Sequence, residues 1–157
     1  MTTTTTTKTP ILARILAEGY GPPEGAWHGP DLKAALADVS PELAFWRPAP
    51  DRHNIAELAL HHAYFIRSVR GDLSGKTPEP FVLEGDGWFD LPDQSRLTWQ
   101  RIRDVVDTEQ RRLADVVGGM EASRAHALNL VLGITCHAVY HAGQVQLLKR
   151  LRATAGK

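Results

Sequence analysis

Two histidines stand four residues apart in the stretch Cys136 to Gln144, CHAVYHAGQ. On a helix that spacing puts His137 and His141 one above the other on the same face, where two imidazoles can bind a single metal ion. A second pair, His61 and His62, lies in HNIAELALHHAYF. Imidazoles aimed into an apolar core need partners, because an unsatisfied buried polar group costs about 1–3 kcal/mol. A shared metal would satisfy several of them together, whereas backbone carbonyls or water could satisfy each one singly. Gln144, three residues after His141, shares the face of the pair and is placed to orient a ligand or a bound water. Gly143 beside it costs about 1 kcal/mol relative to alanine in a helix interior. It either marks a close helix approach or is tolerated without one.

These residues must be carried by helices. Apolar residues recur at intervals of three and four in four segments. The first is short, Asp31 to Val39, with Leu32, Leu36 and Val39 on one side, and the Ser-Pro-Glu that follows at Ser40 predicts one more helical turn. The second starts at Asn54, an N-cap with Glu57 as the reciprocal partner of a capping box. Its stripe is Ile55, Leu58, His62, Phe65 and Val69; a stripe through Leu58, His61 and Phe65 fits almost as well, so spacing leaves His61 and His62 both open. The third segment runs from Ser95 to Val117, with Trp99, Ile102, Val106, Leu113 and Val116 on its stripe and Gly118-Gly119 as its stop. The fourth runs from Ser123 to Ala153, with Val131, Ile134, Ala138, His141, Val145 and Leu148 facing inward and Lys149, Arg150 and Arg152 at the negative pole of the helix dipole. Between the second and third lies a Gly- and Pro-rich connector, Ser74 to Pro92, whose FVLEGDGWFDLP is expected to pack. No segment alternates as a strand would. The expectation is an all-α four-helix bundle with a long crossover connection and a metal site in the bundle core, built from facing helices.

Size and charge narrow the function classes. The chain has 157 residues, 43% hydrophobic and 23% charged, which suits one globular domain over residues 10–157. Residues 1–9, with their threonine run, are expected to form a disordered N-terminal tail. Lys plus Arg equals Asp plus Glu at 18 each, so attraction to phosphate backbones or anionic lipid has little to work with, and no nucleic-acid or membrane partner is expected. One cysteine, Cys136, allows no intrachain disulfide. The N-terminal residues hold no apolar stretch of signal-peptide type, and no apolar run approaches the roughly 20 residues of a membrane span, so a cytoplasmic protein is expected.

Other candidates are weaker. Cys136 neighbours His137 but points about 100° away on a helix, and a packed thiol is expected. Glu109 falls on the third stripe, either as a base behind the histidines or as a carboxylate reaching solvent. His28, after Trp27, could approach the site or merely pack, and His126 reads as a surface residue.

HNIAELALHHAYF followed at a distance by HAVYHAGQVQLLKRL resembles the DinB-like family, also called DinB/YfiT-like metalloenzymes. The resemblance spans GAWHGPDL to LLKRL, and its specific part is the H-x-x-x-H-x-G-Q ending. It implies a four-helix bundle holding a divalent metal through three histidines, one on the second helix and two on the last. Laid on this sequence, His53 takes a position often aromatic in the family, Asn54 and Ile55 follow, and His61 takes the ligand position. The resemblance thus implies His61, His137 and His141 as metal ligands, with His62 in reserve and His53 at the pocket mouth or merely at the helix start.

Relatives of that kind include metal-dependent enzymes that use low-molecular-weight thiols. The resemblance therefore implies a metal-dependent enzyme that activates such a thiol, or water, for attack on a small electrophilic substrate. Three imidazoles leave a four-coordinate ion one open position. They suit zinc, nickel, iron or copper without choosing among them, and zinc, nickel or iron is expected. The alternatives are a metal- or ligand-binding stress-response protein without turnover, and a bundle that has lost its metal. A homodimer is also expected, with Trp99, Leu147 and Leu151 as apolar residues to spare.

Overall fold

The computed structural model describes residues 10–156; the tail expected over residues 1–9 lies outside the described residues. The described residues form six helices and no strands: α1 (Ile11–Gly19), α2 (Leu32–Ala37), α3 (Pro41–Ala44), α4 (Ile55–Ser74), α5 (Trp99–Gly118) and α6 (Ala125–Thr154). The long elements close a ring: α1 packs on α5, α5 on α4, α4 on α6, and α6 back on α1. The helical bundle with a long α4–α5 connector is therefore as expected, but its first member is not. The expected first helix, Asp31 to Val39, is the six-residue α2, which lies against α6, and the bundle position belongs to α1. Helix α1 has no side-chain N-cap, and Leu12 and Leu16 carry its buried face. Gly19 lets it approach α6, because a Cβ there would stand 2.8 Å from that of Ala138.

Helix α4 starts where the sequence puts it. Asn54 accepts from the Glu57 N–H at 2.9 Å, and Glu57 accepts from the Asn54 N–H at 3.4 Å. The box is fastened to its surroundings. Asn54 Nδ2 donates to the Leu91 carbonyl at 2.7 Å, and Glu57 accepts from the Leu91 N–H at 2.9 Å and from the Arg47 guanidinium. Burial disfavours the Glu57 carboxylate, yet the bonds from Arg47, Leu91 and His53 hold its pKa below the usual carboxylate range. The start of α4 is thereby locked to the connector, which reappears at the site.

Helix α5 begins at Trp99, capped by Thr98, four residues later than the expected Ser95. Its buried C-terminal valine is Val117, and Val116 is only partly covered. On α4, Phe65 is exposed and Ile66 takes the buried place expected of it. Trp99 is not to spare: it is 3% exposed and its Nε1–H donates to the Val39 carbonyl at 2.8 Å. Gly143 faces outward with nothing within 4 Å of a Cβ built there, so it marks no close approach.

The core has two parts. One gathers α2, the first half of α4, the connector, the start of α5 and the later half of α6. The other gathers α1 and the distal halves of α4 and α5 with the first half of α6. His61 and His62 on α4 and His141 on α6 fall among the residues of the first part, near its end toward the second, and His137 lies at the boundary between Ile134 and Ala138. Buried Ala59, Ala63, Ala138 and Ala142 beside them leave room for imidazole rings.

Candidate metal centre

Helices α4 and α6 bring three imidazole nitrogens to one spot. His137 Nε2 lies 3.2 Å from His61 Nε2 and 3.1 Å from His141 Nε2. One ligand atom from each of these residues falls within 4.8 Å of the others, so the three could hold a metal ion. Tetrahedral coordination with metal–nitrogen bonds of about 2.0–2.1 Å sets ligand nitrogens about 3.3 Å apart. The two closest separations are close to that value.

The opposite ring edges show how the nitrogens are aimed. His61 Nδ1 donates to the Gly87 carbonyl at 2.8 Å, and His141 Nδ1 donates to Gln144 Oε1 at 2.6 Å. Each neutral ring carries one proton, so both Nε2 atoms are lone pairs pointing at His137. A proton on His137 Nε2 could bridge only one of the two gaps. Without a cation, at least one lone pair would be left without a partner, whereas a cation at their centre satisfies all three. Chemistry of the donor set and spacing therefore both fit a metal. Outward N–H groups bound to a carbonyl and an amide oxygen are the usual supports of ligating histidines.

Electrostatics agree. Burial lowers His137 to about 4, assisted by repulsion from His141 and His61. It lowers His141 to about 4 as well, against the opposing bond to Gln144. His61 is lowered by burial despite the Gly87 carbonyl, and fully enclosed His62 is held well below 6.5. The rings are neutral at neutral pH and keep the lone pairs that ligation needs.

The connector supplies what the sequence reading did not foresee. Gly87 has φ +120°, and a Cβ there would stand 3.0 Å from the Phe65 ring, so only glycine brings this carbonyl to His61. Trp88 stacks on His61 at 3.6 Å between centroids, and its ring also stacks on His53 at 3.9 Å. Phe65 lies edge-on to His61, and Tyr140 to His141. Phe65, Trp88 and Tyr140 are all exposed, so aromatic rings border the histidine cluster toward solvent. The signal available in the sequence was the glycine pair in GDGWF, which demands an unusual backbone beside an aromatic.

The remaining candidates divide. Gln144 and His53 adjoin the site as described, with His53 Nδ1 2.9 Å from Glu57 Oε2. His62 is not in the three-nitrogen cluster; its Nδ1 lies 2.8 Å from Nδ1 of His137, behind that ring. Glu109 is buried in ion pairs with Arg70 at 3.2 Å and Arg112 at 3.1 Å, neither solvent-reaching nor bonded to any histidine. His28 is exposed and donates to the Glu18 carbonyl, away from the cluster's partners. Cys136 is exposed, not packed, because it falls on the outward side of α6.

Comparison with known proteins agrees with this geometry. No curated protein matches the chain. Among solved structures, a crystal structure described as the conserved protein of an Enterococcus faecalis locus superposes with a TM-score of 0.61 at 16% identity, over 93% of this chain and 94% of that one. That likeness shows the fold. Residues 26–145 match the family pattern of the DinB superfamily. The match takes in all four clustered histidines and the connector, ending within α6, and the chain belongs to the DinB superfamily.

Proposed function

We propose that this protein is a metal-dependent enzyme that presents a low-molecular-weight thiol, or water, to a small electrophile. The observation that carries the reading is the convergence of three neutral imidazoles on one point, with their lone pairs inward. His61, His137 and His141 would hold the ion, and their imidazole donors suit zinc, nickel, iron or copper. A divalent ion bound there lowers the pKa of a thiol or water in its free position. Because all three ligands are uncharged, none offsets the ion's charge, which favours an anionic nucleophile beside it.

The chain's own residues perform the rest. Gly87 and Gln144 fix the ring orientations of His61 and His141. Phe65, Trp88 and Tyr140 offer flat apolar surface at the mouth, suited to the apolar body of a substrate and to excluding water from the reacting sulfur. In the S-transfer variant the sulfur forms a bond to carbon, the leaving group departs with its electron pair, and the thiol proton passes to solvent. A groove of about 450 Å³ bordered by His53, Gln144, Leu58 and Leu148 adjoins the site and offers room for the substrate's remainder.

Apolar residues ring α6, and apart from Tyr140 at the mouth its outward side exposes Leu132, Leu147 and Leu151. A second copy packed there is the homodimer this reading includes. No helix among the described residues is long and apolar enough to cross a membrane.

The test is a screen of untagged, metal-loaded protein with low-molecular-weight thiols and electrophilic model substrates, following thiol loss and, in parallel, hydrolysis. The reading expects acceleration that His141→Ala abolishes. Stoichiometric metal with no acceleration over free ion would refute the enzyme and leave a non-catalytic metal-binding protein.

A further inference from the structure

His62 is the odd member of the histidine cluster. It is 1% exposed, its Nδ1 meets His137 Nδ1 at 2.8 Å, and its Nε2 is buried with no hydrogen-bond partner. A buried polar nitrogen left bare calls for an explanation, since buried polar atoms are normally paired.

We infer that His62 is a positioning residue that fixes the tautomer of His137 and so makes it a ligand. This rests on the metal reading above. The proton count gives the reason. Two nitrogens 2.8 Å apart share one hydrogen, so one Nδ1 donates and the other accepts. If His62 donates, His137 Nδ1 accepts, the neutral His137 ring carries its proton on Nε2, and that nitrogen cannot bind a metal. If His137 donates, its Nε2 is a lone pair aimed at His61 and His141, and His62 must hold its own proton on Nε2. That second arrangement puts all three ligands in the binding state. It completes a set of outward supports: a backbone carbonyl behind His61, an amide oxygen behind His141 and an imidazole nitrogen behind His137. The bare Nε2–H of His62 is then the by-product of the tautomer the site requires. Leucine at position 62 would fill the space but could not accept, whereas an amide oxygen could.

The experiment titrates zinc against a chromophoric chelator with untagged wild type, His62→Leu and His62→Gln. His62→Leu should weaken binding about 10–100-fold, the usual effect of losing a group behind a ligand. His62→Gln, which keeps an acceptor, should remain far closer to wild type. Long-range proton–nitrogen NMR on zinc-loaded wild type should find His137 protonated at Nδ1 and His62 at Nε2, a readout that needs no variant to fold. His62→Leu binding as tightly as wild type would overturn the assignment, as would His62→Gln losing as much as His62→Leu. So would a proton on His62 Nδ1, or a metal-bound nitrogen on His62. A wild type that takes up no metal would sink the metal reading itself, and this assignment with it.

Discussion

Acid should destabilise the metal-free protein through its histidines before the carboxylates titrate. His137 and His141 have native pKa values near 4 against 6.5 for the free side chain, and His62 is lowered too. A depressed histidine binds its proton less readily when folded, so between pH 6.5 and 4 the unfolded chain holds more protons. Stability is therefore fully present above about pH 6.5 and is lost as pH falls toward 4. Each such proton is worth at most about 1.4 kcal/mol per pH unit. His137 and His141 together give about 2.7, and since His137 is only partly covered, screening brings their share of the slope to about 2 kcal/mol per unit, to which His62 adds. Urea unfolding of metal-stripped protein at pH 7.0 and 5.5 reads this directly, with the double variant His137→Gln, His141→Gln as the control that should lose their share of the slope and keep only what buried His62 and His61 contribute. Equal stability at the two pH values, or a control with the wild-type slope, would refute the argument that these rings are buried neutral.

Three further outcomes follow from the same contacts. Replacing Gln144 with Ala removes the acceptor 2.6 Å from His141 Nδ1 and should weaken metal binding about 10–100-fold in a chelator competition. Asn54→Ala loses both the α4 cap and the bond to the Leu91 carbonyl, a cost of about 2–3 kcal/mol, and should lower the melting temperature by roughly 5–10 °C in calorimetry. Light scattering at micromolar concentration should give twice the 17.3 kDa chain mass; a monomer would remove the α6 dimer.

The parts of this structure that were legible in the sequence are those set by short-range rules. The α4 capping box needs only Asn54 and Glu57 three apart, and the α6 stripe from Val131 to Leu148 needs only its period. The bundle and the histidine cluster could be read because spacing of four aligns two rings on one face. Helix α1 was missed because nine residues without a cap give a weak periodic signal, and tertiary packing on α6 is what secures them. His61 could not be told from His62 by period, since α4 is buried all round through Ala63; the difference is which nitrogen faces the gap. Gly87 and Trp88 were invisible as site residues because a backbone carbonyl and a stacked ring act through the path of a long connector, which no local pattern records.

The central claim is that His61, His137 and His141 form a metal site. Elemental analysis of purified, untagged protein tests it most directly, since a histidine tag would bring its own metal. The account predicts about one equivalent of zinc, nickel or iron per chain, as a three-histidine site requires, and its loss in His141→Ala while the fold survives. No metal as purified, and none taken up when each ion is offered, would contradict it.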